Sequence, residues 1–177
     1  MAEAKKKEVQ ALKGIKQILM FRLLEEKDKK DAQKLLFQVE HSSEVSADGD
    51  SEITKDGPLN SEGVIKEEIS ITSIVALGDD TVDILEKAMR ERKDLEVWEI
   101  NSQDPVGEEK EHKFTGRYMQ GKLTEFNKTS NAEDYVELEM TFKVDLVPQK
   151  GKCTLTEEQS KVVQYQFRDT TKELQEV

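Results

Sequence analysis

The chain has 177 residues, enough for one domain with a core of its own, and no linker divides it. Charged residues make up 37% and hydrophobic ones 35%, a low apolar share, so either much of the chain is loop and arm or part of its apolar surface is buried only on assembly. The net charge of -11 argues against a protein that grips phosphates, which needs a basic footprint. Cys153, the single cysteine, excludes a disulfide framework and a cysteine-based zinc site.

Residues 1–16 are charged and short of core residues, and read as an N-terminal arm. Lys5, Lys6 and Lys7 are not followed by an apolar signal-peptide core, and no segment approaches a membrane span, so the expectation is a soluble protein made in the cytoplasm. The sequon at Asn127 then has no route to glycosylation. Residues 17–24 form an apolar run of strand length, although Val9, Leu12, Ile15, Ile18 and Leu19 also fit a helical stripe. After a charged turn at 27–31, residues 35–40 predict a second strand with Leu35, Phe37 and Val39 on one face.

Residues 42–63 are rich in Ser, Asp, Gly and Glu, and their length marks a functional or disordered loop. Residues 65–75 alternate as a strand, with Ile69 and Ile71 toward the core and Lys66, Glu68 and Thr72 toward water. A helix is predicted over Asp80–Arg92: Asp79 or Asp80 caps it, Leu85 lies on its apolar face, and Arg90 and Arg92 suit the negative end of its dipole. Strands follow at 95–100, with Trp98 in the core, and at 113–126, where Gly116 and Gly121 imply bulges or close backbone approach.

Residues 135–147 carry the clearest pattern. Leu138, Met140 and Phe142 lie on an apolar face that extends from Val136 to Leu146, while Glu137, Glu139, Thr141, Lys143 and Asp145 form a polar one. An antiparallel strand with one buried and one wet face writes this alternation. Pro148 to Gly151 ends it, Thr156 and Gln159 have capping-box spacing, residues 162–167 alternate as a last strand, and 170–177 form a polar C-terminal tail. The fold class is mainly β, a sandwich or barrel with one flanking helix.

A search for catalytic or metal chemistry is negative. The sequence has no phosphate-binding glycine loop, no nucleophile elbow and no His-Glu-x-x-His. His41 and His112 are isolated in the sequence, and the acidic run from Asp48 lacks the sixth-position glycine and twelfth-position glutamate of a calcium loop. Gly78-Asp79-Asp80 caps a helix, and Glu137 and Glu139 read more simply as a solvated face than as a hydrolytic pair. No cofactor or enzymatic activity is expected, and a structural or assembly protein is the leading class.

An ordered series of short motifs resembles the major tail protein of long, non-contractile bacteriophage tails, in the branch typical of Gram-positive hosts. It runs from Lys34-Leu-Leu-Phe-Gln-Val-Glu-His41 through Thr54-Lys-Asp-Gly-Pro58, Glu67-Glu-Ile-Ser-Ile-Thr72 and Leu95-Glu-Val-Trp-Glu-Ile100. Tyr118-Met-Gln-Gly121, Ala132-Glu-Asp-Tyr-Val-Glu137, Thr154-Leu-Thr-Glu-Glu-Gln159 and Val162-Val-Gln-Tyr165 complete it. The resemblance implies a β-sandwich in one tail-tube domain over residues 1–177, assembling as stacked hexameric rings. Four strands per subunit would line a lumen that conducts double-stranded DNA. Its implied partners are further copies of the chain and the tape-measure, tail terminator and tip proteins. Its implied place is the virion tail, assembled in the host bacterial cytoplasm, with no membrane partner.

On this reading the lumen candidates are Lys66, Glu68, Thr72, Glu137, Glu139, Lys143 and Asp145, although alternation alone leaves open whether this wet face meets the lumen or the exterior. The long loop at 44–63, with Glu44, Asp48, Asp50, Glu52, Lys55 and Asp56, is the candidate contact between rings. The alternatives are an inner-tube protein of a contractile or secretion-type injection machine, a β-sandwich binding module, and a hydrolase using Glu137 and Glu139.

Overall fold

The computed structural model describes residues 9–107, 112–156 and 159. In chain order its elements are β1 (Gln17–Leu23), β2 (Gln33–Lys34), β3 (Gln38–Asp48), β4 (Ser51–Thr54), β5 (Gly57–Asn60) and β6 (Val64–Ile74). The helix α1 (Asp80–Glu91) follows, then β7 (Leu95–Pro105), β8 (Lys113–Thr129), β9 (Glu137–Val144) and β10 (Gln149–Thr154). The main sheet runs β2-β1-β7-β8-β9-β6-β3, with β10 also on β8, and every ladder is antiparallel.

The 17-residue β8 serves two layers. Its first half pairs with β7 on one edge and β10 on the other; its second half pairs with β9, which continues to β6 and β3. The layers enclose one core. Leu19, Phe21, Leu95 and Val97 from the first meet Ile69, Ile71, Leu138, Met140 and Phe142 from the second, and Val82, Leu85 and Ala88 of α1 join them. Phe142 and Leu138 are fully buried, as their alternation requires.

Side chains fasten the layers where the sheet leaves an edge. The Gln38 amide donates to the Leu19 and Leu35 carbonyls at 2.7 and 3.0 Å and accepts from the Leu19 N–H at 2.9 Å, satisfying the edge of β1 as a neighbouring strand would. Beside it, Arg117 bonds Glu99 at 2.7 Å and Glu67 at 2.8 Å, His41 Nε2 lies 3.0 Å from Glu99, and Ser43 donates to Glu67 at 2.8 Å. Four strands are thus tied through one largely buried charged cluster.

Local signals account for most elements. Asp79 caps α1 by accepting from the Thr81 N–H, and Arg92 ends it in the left-handed conformation at φ 53°. A Cβ on Gly121 would fall 1.9 Å from the Lys143 carbonyl oxygen, so β8 and β9 approach this closely only with glycine there. Gly116 has the same role against Cys153 and the Glu99 carbonyl. The backbone N–H groups of Thr156 and Gln159 are each satisfied by the other's side chain, the reciprocal capping box.

Several expectations are corrected. Residues 44–63 are not an irregular loop: β3 and β6 continue into a β4–β5 hairpin that turns at Lys55 and Asp56, where Thr54 Oγ1 bonds the Gly57 carbonyl and the Asp56 N–H. Their low apolar content reflects exposure on both faces of the ribbon. Leu35 is buried, but Phe37 takes φ 49° and Val39 lies at a register shift, so both are exposed. Trp98 packs on a core, though not the one between the layers: β7 directs Leu95 and Val97 there and the half-buried Trp98 to its other face, against a second buried cluster of Ile18, Met20, Ile100, Phe114 and Leu155, with Tyr118 at 5.3 Å and Arg22 over its ring at 5.0 Å.

The strand predicted through Val147 ends at Val144, with Leu146 and Val147 exposed, and the strand predicted over 95–100 runs on to Pro105. β10 was not anticipated. Pro148 breaks the alternation, yet the chain resumes on the same edge of β8. The expected strand at 162–167 and the tail at 170–177 lie outside the described residues.

Two stability measurements follow. Phe142→Ala should cost about 3–5 kcal/mol in urea unfolding, a large part of the total stability of a domain. The His41 hydrogen bond, together with the Arg117 charge, holds the Glu99 carboxyl below its ordinary range despite burial. A carboxylate with a depressed folded pKa stabilises fully above its unfolded value of 4.5, and that contribution is lost as pH falls through the folded value. Glu99→Gln should therefore be less stable at neutral pH, and its deficit against the wild type should shrink as pH falls below 4.5.

Candidate functional site

The second layer turns one face to the core and the other outward. Its strand register assembles the outward face in rows. Glu44, Glu68, Lys143 and Lys122 lie across β3, β6, β9 and β8; Ser42, Ser70, Thr141 and Glu125 form the next row; Glu40, Thr72, Glu139 and Asn127 the third. Ile74, Glu137 and Thr129 continue it, and Lys66 lies at the other end beside Ser46.

Of the sequence candidates, Lys66, Glu68, Thr72, Glu137, Glu139 and Lys143 share this face. Asp145 does not belong to the stripe, since it lies past the end of β9, where its N–H bonds the Gln120 carbonyl. Glu44, assigned from sequence to the long loop, is paired opposite Glu68 on this face instead. Glu40, Lys122, Glu125 and Asn127 were missed. The period of two that would reveal them breaks at the register shift between Leu123 and Glu125, and for Glu40 at the shift next to Val39.

The face is acidic. Glu40, Glu44, Glu68, Glu125, Glu137 and Glu139 are set against Lys66, Lys122 and Lys143. Two of the lysines are held by carboxylates: Lys66 bonds Asp48 at 2.5 Å and Lys122 bonds Asp94, and these bonds raise both lysine pKa values. Glu137 and Glu139 are exposed, and among the described residues no group of three or more His, Cys, Asp or Glu could hold a metal ion. A cleft lined by Gln17, Glu99, Asn101, Thr115, Arg117 and Lys150 is the one that abuts the charged cluster, but there Arg117 and Glu99 are already bonded to each other.

The edges of this layer are open. Among the described residues no strand pairs with the outer edge of β3, and β7 leaves β8 at Gly121, so one edge of the second half of β8 is bare as well. Beyond β9, β3 and β6 continue as a two-stranded ribbon into the β4–β5 hairpin. Asp50, Glu52, Lys55 and Asp56 lie along it, with exposed Ile53 and Leu59 among them. No helix among the described residues is long and apolar enough to cross a membrane.

Known proteins match this arrangement. A tail protein of Staphylococcus phage phiMR25 is 35% identical over 158 residues, covering 88% of this chain and 81% of its own. Its host genus is Gram-positive, as the motif series implied. The solved tail tube of SPP1 superposes with a TM-score of 0.69 at 16% identity, over 92% of this chain and 96% of that one. A chain from the tail of an empty gene transfer agent particle superposes with a TM-score of 0.56 at 11% identity, over 78% of this chain and 98% of that one. The family described as phage tail tube protein matches residues 11–150. With the family matched over most of the chain and the two-layer fold shared, the chain belongs to the phage tail tube proteins and is a structural component of the virion tail.

Proposed function

We propose that the chain closes into hexameric rings whose inner wall is the acidic face of β3, β6, β9 and the second half of β8, and that the rings stack into the conduit for DNA. The observation that carries this is the pair of edges, flanking a four-stranded layer, that have no strand partner among the described residues. Long open edges are an aggregation hazard in a monomer, and a head-to-tail contact that rotates shut removes them. The four strands alternate in direction, and rotation about the tube axis preserves direction. The β3 edge of one copy therefore meets the β8 edge of the next antiparallel, the same geometry as every other ladder in the sheet.

The charge of the face suits passage of DNA. An inward basic wall would exchange counterions for phosphate contacts and hold the duplex. An acidic wall repels it, with screening confining the effect to roughly 8–10 Å at physiological salt. The hairpin would reach from one ring to the next, and its acidic residues and exposed Ile53 and Leu59 are the surface it offers. The tape-measure protein would occupy the same lumen before DNA does, with terminator and tip proteins covering the tube ends, and assembly would take place in the host cytoplasm.

Replacing Glu137 and Glu139 together by Lys should leave tubes intact in negative-stain micrographs and slow DNA ejection from assembled virions. Unchanged ejection kinetics would remove the lining assignment. Deleting residues 51–60, with a short glycine link to rejoin β3 and β6, should give single rings or monomers at concentrations where the wild type forms tubes. Tubes of normal length from that deletion would show that the hairpin does not join rings.

A further inference from the structure

The two edges of the second layer that have no strand partner among the described residues differ in charge. On the polar face the β8 edge reads Lys122, Glu125, Asn127 and Thr129. Along the β3 edge of the same face, Glu40, Glu44 and Asp48 alternate with Ser42 and Ser46. A slip of two residues therefore changes every side-chain contact that a facing strand would make.

Charge excludes most registers. Polar faces must meet polar faces, so Lys122 of one copy can face only an even-numbered residue of the next copy's β3. Facing Ser42 or Ser46, it would bring Glu125 against Glu40 or Glu44, and like charges directly opposite destabilise a strand pair. Facing Glu40, it would leave little of β3 to pair, because the β3 register is already shifted between Gln38 and Glu40. Glu44 and Asp48 remain.

Closure decides between them. Glu44, Glu68, Lys143 and Lys122 form one row across the layer. With Lys122 facing the next copy's Glu44 that row would close on itself, leaving strands parallel to the tube axis, whereas closing a sheet requires tilt and stagger. Asp48 lies four residues beyond Glu44. Four residues of stagger per four strands, at about 3.4 Å per residue and about 4.8 Å per strand, give a tilt of about 35°, whatever the number of copies, against a usual range of roughly 35–45°.

The hand of the stagger agrees. The Val75 N–H bonds the Val136 carbonyl at the end of the β6–β9 ladder, so the odd residues of β6 direct backbone groups at β9 while Ile69 and Ile71 enter the core. L-chirality then places β9, and beyond it β8, to the right of an ascending β6 viewed from the core. Neighbouring strands rotate by about −20 to −25°, which makes the strands of a closed barrel lean rightward as they ascend. The row therefore meets the next copy's β3 below that copy's Glu44. Because β3 descends, below means toward Asp48. The core-side face fits as well: the same register sets Val45, 61% exposed in the free subunit, opposite the partly buried Phe126.

We propose that rings close with Lys122 facing Asp48 of the next copy, Glu125 facing Ser46 and Asn127 facing Glu44. This rests on the ring reading and adds the register that selects one closure. Asp48 is already bonded to Lys66 of its own copy at 2.5 Å, and Lys122 to Asp94 of its own. Closure joins the two pairs into an alternating chain, Lys66–Asp48–Lys122–Asp94, that crosses the seam with opposite charges adjacent throughout.

The test is disulfide trapping of the assembled full chain in a Cys153→Ser background, which removes its own thiol, with negative-stain microscopy before oxidation. In this register Asn127 and Glu44 form a non-hydrogen-bonded pair with Cα atoms about 4.5 Å apart, within disulfide range. Within one subunit β6 and β9 separate them, so a bond between them joins two copies. N127C/E44C should give a ladder of covalent multimers on mild oxidation, and N127C/E40C and N127C/S42C should not. Val45→Asp should keep the monomer's thermal midpoint and raise the concentration needed for rings by about tenfold, the change that 1.4 kcal/mol produces. Rings that trap through N127C/E40C would show closure without stagger and overturn the register. So would rings that trap through N127C/S42C or through none of the three, or a Val45→Asp chain that closes as readily as the wild type. Absence of rings from the wild type itself would overturn the underlying ring reading instead.

Discussion

The structure depends on how β8 divides its two edges. Its first half is paired on both sides, by β7 and by β10, and is a central strand of the first layer. After Gly121, whose missing side chain lets β9 come close, β7 departs and the same strand becomes the border of the second layer. A single strand thus spends half its length satisfying hydrogen bonds on both edges within the subunit, and along the other half one edge has no strand partner among the described residues. Backbone groups of that kind need partners, from water or from another chain. The capacity to assemble is built into the same ladder that holds the core together.

The opposite border, β3, is fastened differently. On one side it has the ladder with β6; toward the first layer it is held only by side chains, Gln38 on Leu19 and His41 on Glu99. Buried ion pairs contribute little net stability, because desolvation offsets the attraction, but removing one member leaves a charge without compensation. The cluster of Arg117, Glu99, Glu67 and His41 is therefore better understood as fixing where β3 lies than as a source of stability. An edge strand that must meet a neighbour in register benefits from having its own position determined before the neighbour arrives.

The sequence made the second layer legible because its strands have one dry and one wet face. Ile69, Ile71, Leu138, Met140 and Phe142 were identified as core by the period of two, and Leu85 by the helical one. The same logic failed wherever both faces of a strand are covered or both exposed. β7 buries residues on both faces, so alternation could not separate Val97, in the core between the layers, from Trp98, which packs on the second cluster. The ribbon from β3 to β6 exposes both of its faces, so its composition imitated a loop. At Val39 and at Leu123–Glu125 a shift in register reverses the phase, which hid Glu40 and Glu125 from the polar face. Alternation could show that a face is wet; the proposal that copies of the chain enclose it draws on the edges beside it that have no strand partner among the described residues.

The low apolar content of the chain now has a physical account. The interior is filled economically, by side chains from two layers and one helix, several of them with no exposure at all. Among the described residues much of the remaining large apolar surface, including Val9, Ile53, Leu59, Leu77 and Tyr135, is in contact with water in a free subunit. Such surface stabilises nothing within the monomer, and its burial in the proposed stacking would contribute roughly 25 cal/mol per Å². In the proposed tube the acidic face works in the opposite sense, since like charges brought together around a ring would repel. On that proposal assembly would balance apolar contacts along the axis and backbone pairing around it against repulsion across the lumen. Because the repulsion is screened by salt and the apolar term is not, higher ionic strength shifts that balance toward the tube.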